Sequence, residues 1–96
     1  MEADAKTALT TLLGEAEVGH AEYEAQELGG VYDEAWPRWY ATYAVEHGLA
    51  GILGHEVGTD RLTSFLTESY AQFAAADPKP DEPWAEYTAA RILAEL

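Results

Sequence analysis

The sequence predicts an all-α fold, in which four helices form one compact domain spanning residues 1–96. Apolar residues recur at steps of three and four along four stretches of the chain, and this spacing is typical of one face of a helix. Glycines and prolines separate these stretches. No long run of alternating β-branched residues predicts a strand. We expect two helical hairpins, because short loops between helices favour antiparallel neighbours.

The first helix is predicted over residues 4–28. Gly14 and Gly19 weaken it, whereas the pair Gly29-Gly30 should end it, because glycine readily adopts the left-handed backbone of a helix cap. Its apolar stripe consists of Ala5, Leu9, Leu12, Leu13, Ala16, His20, Tyr23 and Glu27.

A second helix follows the connection over residues 31–36. Asp33 or Trp36 is its candidate N-cap, and Pro37 fits its first turn. Gly48 is predicted to end this helix. One face of it carries Trp36, Trp39, Tyr40, Tyr43 and His47.

Two further helices are predicted after a short extra turn at residues 49–53. Thr59 should cap a third helix over residues 60–76, and the breaker at residues 77–80 should end it. A fourth helix is predicted over residues 83–95. The apolar positions of these two helices are Leu62, Phe65, Leu66, Ser69, Tyr70 and Phe73, and then Trp84, Ala85, Ala89, Ile92 and Leu96.

A short internal repeat predicts that the two hairpins are related by pseudo-symmetry. Residues 33–36 read Asp-Glu-Ala-Trp, and residues 81–84 read Asp-Glu-Pro-Trp. Each tryptophan is followed three residues later by an aromatic residue, Trp39 or Tyr87. Chance similarity in a chain rich in alanine and glutamate is the alternative explanation.

Composition restricts the class of partner. Eighteen acidic residues oppose five basic ones, which gives a formal net charge of -13. Such a field repels nucleic-acid phosphates and anionic membranes, so we expect neither as a direct partner. A basic protein partner is compatible with this charge, and so is an acidic surface that only keeps the protein soluble. The absence of cysteine, of a signal-peptide pattern and of a long apolar run predicts a cytoplasmic protein.

The aromatic stripe of the second helix is the main candidate binding surface. It comprises Trp36, Trp39, Tyr40 and Tyr43, to which we add Trp84 on the last helix. Tryptophan and tyrosine combine a large apolar area with a polar tip, and they are enriched at binding hot spots. The stripe is interpreted as core, as a protein or homodimer interface, or as a ligand pocket. If Trp39 is core, its replacement by alanine should cost about 3–5 kcal/mol.

A divalent metal site is a second hypothesis. His20 and Glu24 share a face of the first helix, and His47 ends the aromatic stripe of the second, so these three side chains are the candidate ligands. The alternative is that His20 is buried and hydrogen-bonded to Glu24 or to a tyrosine. Glu17 and His20 match the E-x-x-H spacing of di-iron bundles, which require two copies, whereas this chain has one.

The remaining motifs do not indicate an enzyme. The chain has no phosphate-binding glycine loop and no nucleophile elbow, and we expect no catalytic residues and no cofactor apart from the hypothetical metal.

The segment over residues 36–43, Trp-Pro-Arg-Trp-Tyr-Ala-Thr-Tyr, resembles the W-x-x-W-Y-A-x-Y element of small helical proteins from bacteria and archaea. Residues 83–87, Pro-Trp-Ala-Glu-Tyr, resemble a second element of the same group. The resemblance implies a compact helical domain, and no assigned activity comes with it.

Small size, acidity and the aromatic stripe together favour a non-catalytic protein-interaction module. A small-molecule or metal-binding protein is one alternative. A mimic of DNA that occupies a nucleic-acid-binding protein is another, because regular arrays of carboxylates can imitate phosphates.

Overall fold

A computed structural model describes residues 5–76 and 80–96 of the chain. Those residues form helices and no strand, so the predicted all-α class is confirmed. The helices are five rather than four within the described ranges, because the short turn after the second is a helix of its own. Their bounds are α1 Ala5–Glu27, α2 Trp36–Glu46, α3 Leu49–Leu53, α4 Thr59–Ala75 and α5 Trp84–Glu95.

Glycines mark the helix ends at which the backbone turns left-handed. Gly29 and Gly30 have φ angles of 60° and 85°, and the Gly30 amide donates a 2.8 Å hydrogen bond to the Glu24 carbonyl oxygen. The predicted end of α1 is therefore confirmed. Gly48, with φ of 108°, separates α2 from α3. The predicted breaker at residues 77–80 lies largely outside the described residues.

The predicted N-caps are wrong in their details. Thr59 is the first residue of α4, and Gly58 precedes it at the cap position without a side-chain hydrogen bond. The N-cap of α2 is Ala35, and neither Asp33 nor Trp36 occupies that position. The Asp33 carboxylate instead accepts a 3.0 Å hydrogen bond from the Ala35 amide two residues later. Short acidic side chains readily form such turns, which compete with capping.

Aliphatic side chains, mainly of leucine and alanine, fill most of the core, and Phe65 is its one aromatic member among the described residues. All three tryptophans are only partly buried, and Trp36 and Trp84 pack against the edge of the core cluster. The buried cluster comprises Leu9, Leu12, Leu13, Ala41, Ala44, Leu49, Val57, Leu62, Phe65, Leu66, Ala85, Ala89 and Ile92.

Helices α1 and α2 each pack against several other helices. Helix α2 packs most extensively on α4, and α1 packs on α5 as well as on α2. An exposed ion pair of 2.6 Å between Arg38 and Asp60 links α2 to α4. The pairing into two pseudo-symmetric hairpins stays a prediction. Within the described ranges, no helix is both long and apolar enough to cross a membrane.

Two glycines inside α1 differ in their surroundings, and this difference gives a prediction. A methyl group added at Gly14 would contact nothing within 4 Å, whereas one at Gly19 would lie 3.1 Å from the Trp39 ring. Gly14→Ala is therefore expected to raise the free energy of unfolding by about 0.5–1 kcal/mol, because alanine favours the helix. Gly19→Ala should gain less or lose stability, because Trp39 has to move.

Denaturant unfolding of both variants beside the wild type measures this difference. A larger gain for Gly19→Ala than for Gly14→Ala would contradict the close approach of Trp39 to α1.

Candidate functional site

A buried histidine connects α1 to the segment that leads into α2. His20 is 6% exposed, and its Nε2 atom lies 3.0 Å from a carboxylate oxygen of Asp33. Its Nδ1 atom lies 3.8 Å from the Glu24 carboxylate. Glu24 also accepts a 2.9 Å hydrogen bond from the Asp33 backbone amide. These contacts hold the connection against α1 and fix where α2 begins.

The structure gathers only two of the three predicted metal ligands. His20 and Glu24 are adjacent, but the carboxylate that accepts a hydrogen bond from the imidazole belongs to Asp33, which the sequence analysis proposes only as an N-cap. His47 is exposed near the end of α2, where its Nδ1 lies 2.8 Å from the carbonyl oxygen of Tyr43 and its ring stacks on the Tyr43 ring. Across residues 5–76 and 80–96, no three histidine or acidic side chains are grouped to hold a metal ion.

Aromatic rings surround His20 on the side of α2. The ring centroids of Trp39 and Tyr40 each lie 5.1 Å from that of His20, and the Tyr23 centroid lies 6.1 Å away. The aromatic stripe of α2 therefore packs on α1 at His20. A cleft lies on each side of this contact.

On one side, a cleft of about 390 Å³ forms around Trp39, and we call it the Trp39 cleft. Trp39 stacks on Tyr43 with centroids 5.5 Å apart and planes inclined by 14°, and Tyr23 lies 5.9 Å from Trp39. The cleft is lined by Tyr23, Ala35, Arg38, Trp39, Thr42, Tyr43 and Glu46. The stacked pair presents a flat, partly exposed aromatic face.

On the other side lies a smaller cleft of about 190 Å³, which we call the Trp36 cleft. It is lined by Glu17, Trp36, Tyr40, Tyr70 and Trp84, so α1, α2, α4 and α5 all contribute to it. The Trp36 centroid lies 5.3 Å from that of Tyr40, 5.2 Å from that of Tyr70 and 5.8 Å from that of Trp84. The cleft thus joins the predicted stripe residues of α2 to Trp84.

Sequence reasoning missed two members of the Trp36 cleft. The spacing of apolar residues predicts Tyr70 on the apolar stripe of α4, yet 47% of Tyr70 is exposed. Glu17 was considered only for its spacing from His20. The periodicity of α4 could have suggested Tyr70, but no signal in the sequence places Glu17 beside rings from three other helices.

The Trp36 cleft is electrostatically unusual. Burial, together with the negative charges of Glu17 and Glu24, raises the pKa of the Tyr40 hydroxyl from 10.0 to about 12. Much of the Glu17 side chain is exposed, but partial burial of its carboxyl group raises its pKa as well. The Trp84 indole N–H is buried without a hydrogen-bond partner among the described residues. The Tyr40 hydroxyl therefore lies close enough to two carboxylates to feel their negative charge.

The raised pKa of Tyr40 predicts how stability changes at alkaline pH. In the unfolded chain, Tyr40 loses its proton near pH 10, whereas in the folded protein it keeps the proton until about pH 12. The contribution of this hydroxyl to the free energy of unfolding is therefore fully present below about pH 10, and it is lost as the pH rises through about 12. Tyr40→Phe should remove this part of the alkaline decline.

Unfolding by urea at a series of pH values between about 8 and 12 measures the effect, as the difference between the wild type and Tyr40→Phe. Tyr32→Phe, at a tyrosine that is 66% exposed, is the control and should leave the decline unchanged. A decline of equal slope in wild type and Tyr40→Phe would contradict the predicted effect.

The fold and these two clefts define a class of protein: a small, acidic, all-helical domain with a partly exposed aromatic surface. Comparison with protein-family models, curated proteins and solved structures finds no match to this chain. The resemblance of residues 36–43 to an element of small bacterial and archaeal helical proteins stays a prediction. Function is therefore inferred from the geometry and chemistry of the surface.

Proposed function

We propose that this protein is a non-catalytic module that binds a basic protein through its aromatic surface. That surface consists of Trp36, Trp39, Tyr40, Tyr43 and Trp84. The observation that carries the proposal is that all of these side chains are only partly buried, while smaller aliphatic side chains and a single phenylalanine, Phe65, form the core cluster of the described residues.

Tryptophan has the largest apolar side chain, so leaving part of three such rings in water forgoes stabilisation that burial would provide. Binding sites commonly use this arrangement, because aromatic rings held rigidly by a folded support lose little conformational entropy when a partner covers them. Here Trp39 is held by its stacking on Tyr43 and by the His20 ring beneath it. The surface is therefore organised before any partner arrives.

Charge supports a basic partner. The net charge of -13 attracts cationic proteins at long range and raises their rate of association at low salt. Among the described residues, the guanidinium groups of Arg38 and Arg91 are already paired within the molecule, with Asp60 and Glu95. A second copy of this chain is a poorer partner for the aromatic surface than a basic protein, because two molecules of the same large negative charge repel each other.

The test is affinity capture from native cell extract, followed by a binding measurement with the purified partner. We expect a protein with an excess of basic residues that binds the wild type. Its affinity should fall by about tenfold or more for the double variant Trp39→Ala and Tyr43→Ala. Leu93→Ala is the matched control, since Leu93 is an exposed apolar residue that lines neither cleft.

Circular dichroism should show that the double variant keeps its helices. Equal binding by the double variant and by the Leu93→Ala control would contradict the proposal. Proteins that bind both of them and dissociate as salt rises would show attraction by net charge alone, without use of the aromatic surface.

A further inference from the structure

We infer that the Trp36 cleft binds a methylated ammonium group, the cation found on trimethyllysine and on small quaternary amines. The inference extends the proposed function, on which it partly rests, by naming the chemical group that this part of the aromatic surface would take. Three features of the cleft carry it: the orientation of its rings, its unpaired carboxylate and its size.

The rings of Trp36, Tyr40 and Trp84 stand almost at right angles to one another. The planes of Trp36 and Tyr40 are inclined by 77°, those of Trp36 and Trp84 by 83°, and those of Tyr40 and Trp84 by 86°. These edge-to-face contacts bring the three rings together in one aromatic corner of the cleft. Tyr70 adds a fourth ring, inclined by 75° to Trp36.

Such a corner is suited to a cation that carries several methyl groups. The face of an aromatic ring is electronegative, and a quaternary ammonium group attracts several such faces at once when they lie within about 6 Å. Its methyl groups also bury apolar surface against the rings. An unmethylated ammonium is strongly hydrated and loses more on leaving water, so the cleft should prefer the methylated form.

Glu17 supplies the negative charge at this cleft. Its carboxylate forms no ion pair with any described residue, although the chain contains ion pairs elsewhere. A cation bound between the rings would lie beside this carboxylate and compensate its charge. Because of this carboxylate, the cleft should bind a cation more tightly than a neutral apolar ligand of the same shape.

The size of the cleft excludes larger ligands. Its volume of about 190 Å³ is smaller than the ~300–1,000 Å³ of sites for drug-sized molecules. It is open to solvent on one side, because Tyr70 is 47% exposed. One methylated ammonium head can enter while the rest of the ligand stays outside.

The probes are choline, free trimethyllysine, unmodified lysine and the neutral tert-butyl analogue of choline. Each is titrated into the wild-type protein, with tryptophan fluorescence and the NMR signals of the tryptophan indole N–H groups as readouts. We expect saturable shifts with choline and trimethyllysine, and affinity at least about tenfold weaker for lysine and for the neutral analogue. Equal affinity for the neutral analogue, or no saturable shift at millimolar choline, would overturn the inference.

Two variants with matched controls locate the binding. Glu17→Gln and Tyr70→Ala should each weaken choline binding by about three- to tenfold. Glu15→Gln, on the same helix, and Tyr32→Ala, at another exposed tyrosine, should leave it unchanged. Glu17 and Tyr70 are both exposed, so these variants are expected to fold. Equal loss in the variants and their controls would overturn the assignment to this cleft.

A lysine-rich peptide with one trimethyllysine distinguishes the two sources of the cation. Tighter binding of this peptide than of both free trimethyllysine and the same peptide without the methyl groups indicates a protein ligand. Equal affinity for the peptide and free trimethyllysine indicates a small molecule, and both results support the cleft. Failure of every methylated cation to bind, together with capture of a protein that depends on Trp39 and Tyr43, would remove this inference and keep the proposed function. Binding of choline, together with failure to capture any such protein, would keep this inference and remove the proposed function.

Discussion

Replacing Leu66 with alanine is expected to lower the free energy of unfolding by about 3–5 kcal/mol, more than replacing the larger Trp39. Leu66 is fully buried on α4 within the core cluster, so its removal leaves a cavity that the neighbouring helices cannot easily fill. Trp39 is partly exposed and packs on His20 and Tyr43, so Trp39→Ala should cost about 1–3 kcal/mol. Urea unfolding followed by circular dichroism measures both changes.

The order of these two losses distinguishes a mainly aliphatic core from a core formed by the aromatic rings of α2. A loss for Trp39→Ala above that for Leu66→Ala would mean that the stripe of α2 is the true core, and the proposed binding surface would lose its support. Glu15→Ala, at an exposed position of α1, serves as a control and should change stability by less than about 0.5 kcal/mol.

Asp33→Ala is expected to cost about 2–4 kcal/mol, because the change breaks two hydrogen bonds and leaves a buried imidazole without its partner. The carboxylate of Asp33 accepts from the Ala35 amide and contacts His20 at 3.0 Å. The same variant should also loosen the start of α2 and increase exchange of the Trp36 backbone amide with solvent. Urea unfolding and amide hydrogen exchange are the two measurements.

Asp60→Ala is the matched control for this loss. Asp60 also pairs with a cation, Arg38, but its side chain is 87% exposed, so its removal should cost less than about 1 kcal/mol. Similar losses for Asp33→Ala and Asp60→Ala would contradict a structural role for the buried contact to His20. A double variant of His20 and Asp33 should lose less than the sum of the single losses, because the two residues share one interaction.

Local features of the helices could be predicted well from the sequence. The end of α1 at Gly29-Gly30 and the short α3 follow from glycine and from apolar spacing, which act within a few residues. The cap of α2 could not be predicted from the sequence, because the Asp33 side chain can either cap the helix or form its own turn, and it forms the turn. At α4 the helix begins one residue earlier than predicted, so Gly58 takes the cap position in place of Thr59.

The candidate site depended on contacts that spacing cannot reveal. His20 and Asp33 are 13 residues apart and meet only because the connection folds back over α1. Glu17 and Tyr70 were not predicted beside Trp36, since their proximity requires α1 and α4 to pack on either side of α2 and α5.

The helical class, the principal helix boundaries and the shared face of the tryptophans and tyrosines of α2 could all be predicted from the order of the residues. These properties depend on backbone preferences and on a period of 3.6 residues, both of which act locally. Only the tertiary structure decided how deeply that face is buried, which carboxylate contacts His20 and which rings form the Trp36 cleft. The physical reason is that periodicity fixes the direction of a side chain around its own helix, whereas its burial depends on what the other helices place in front of it.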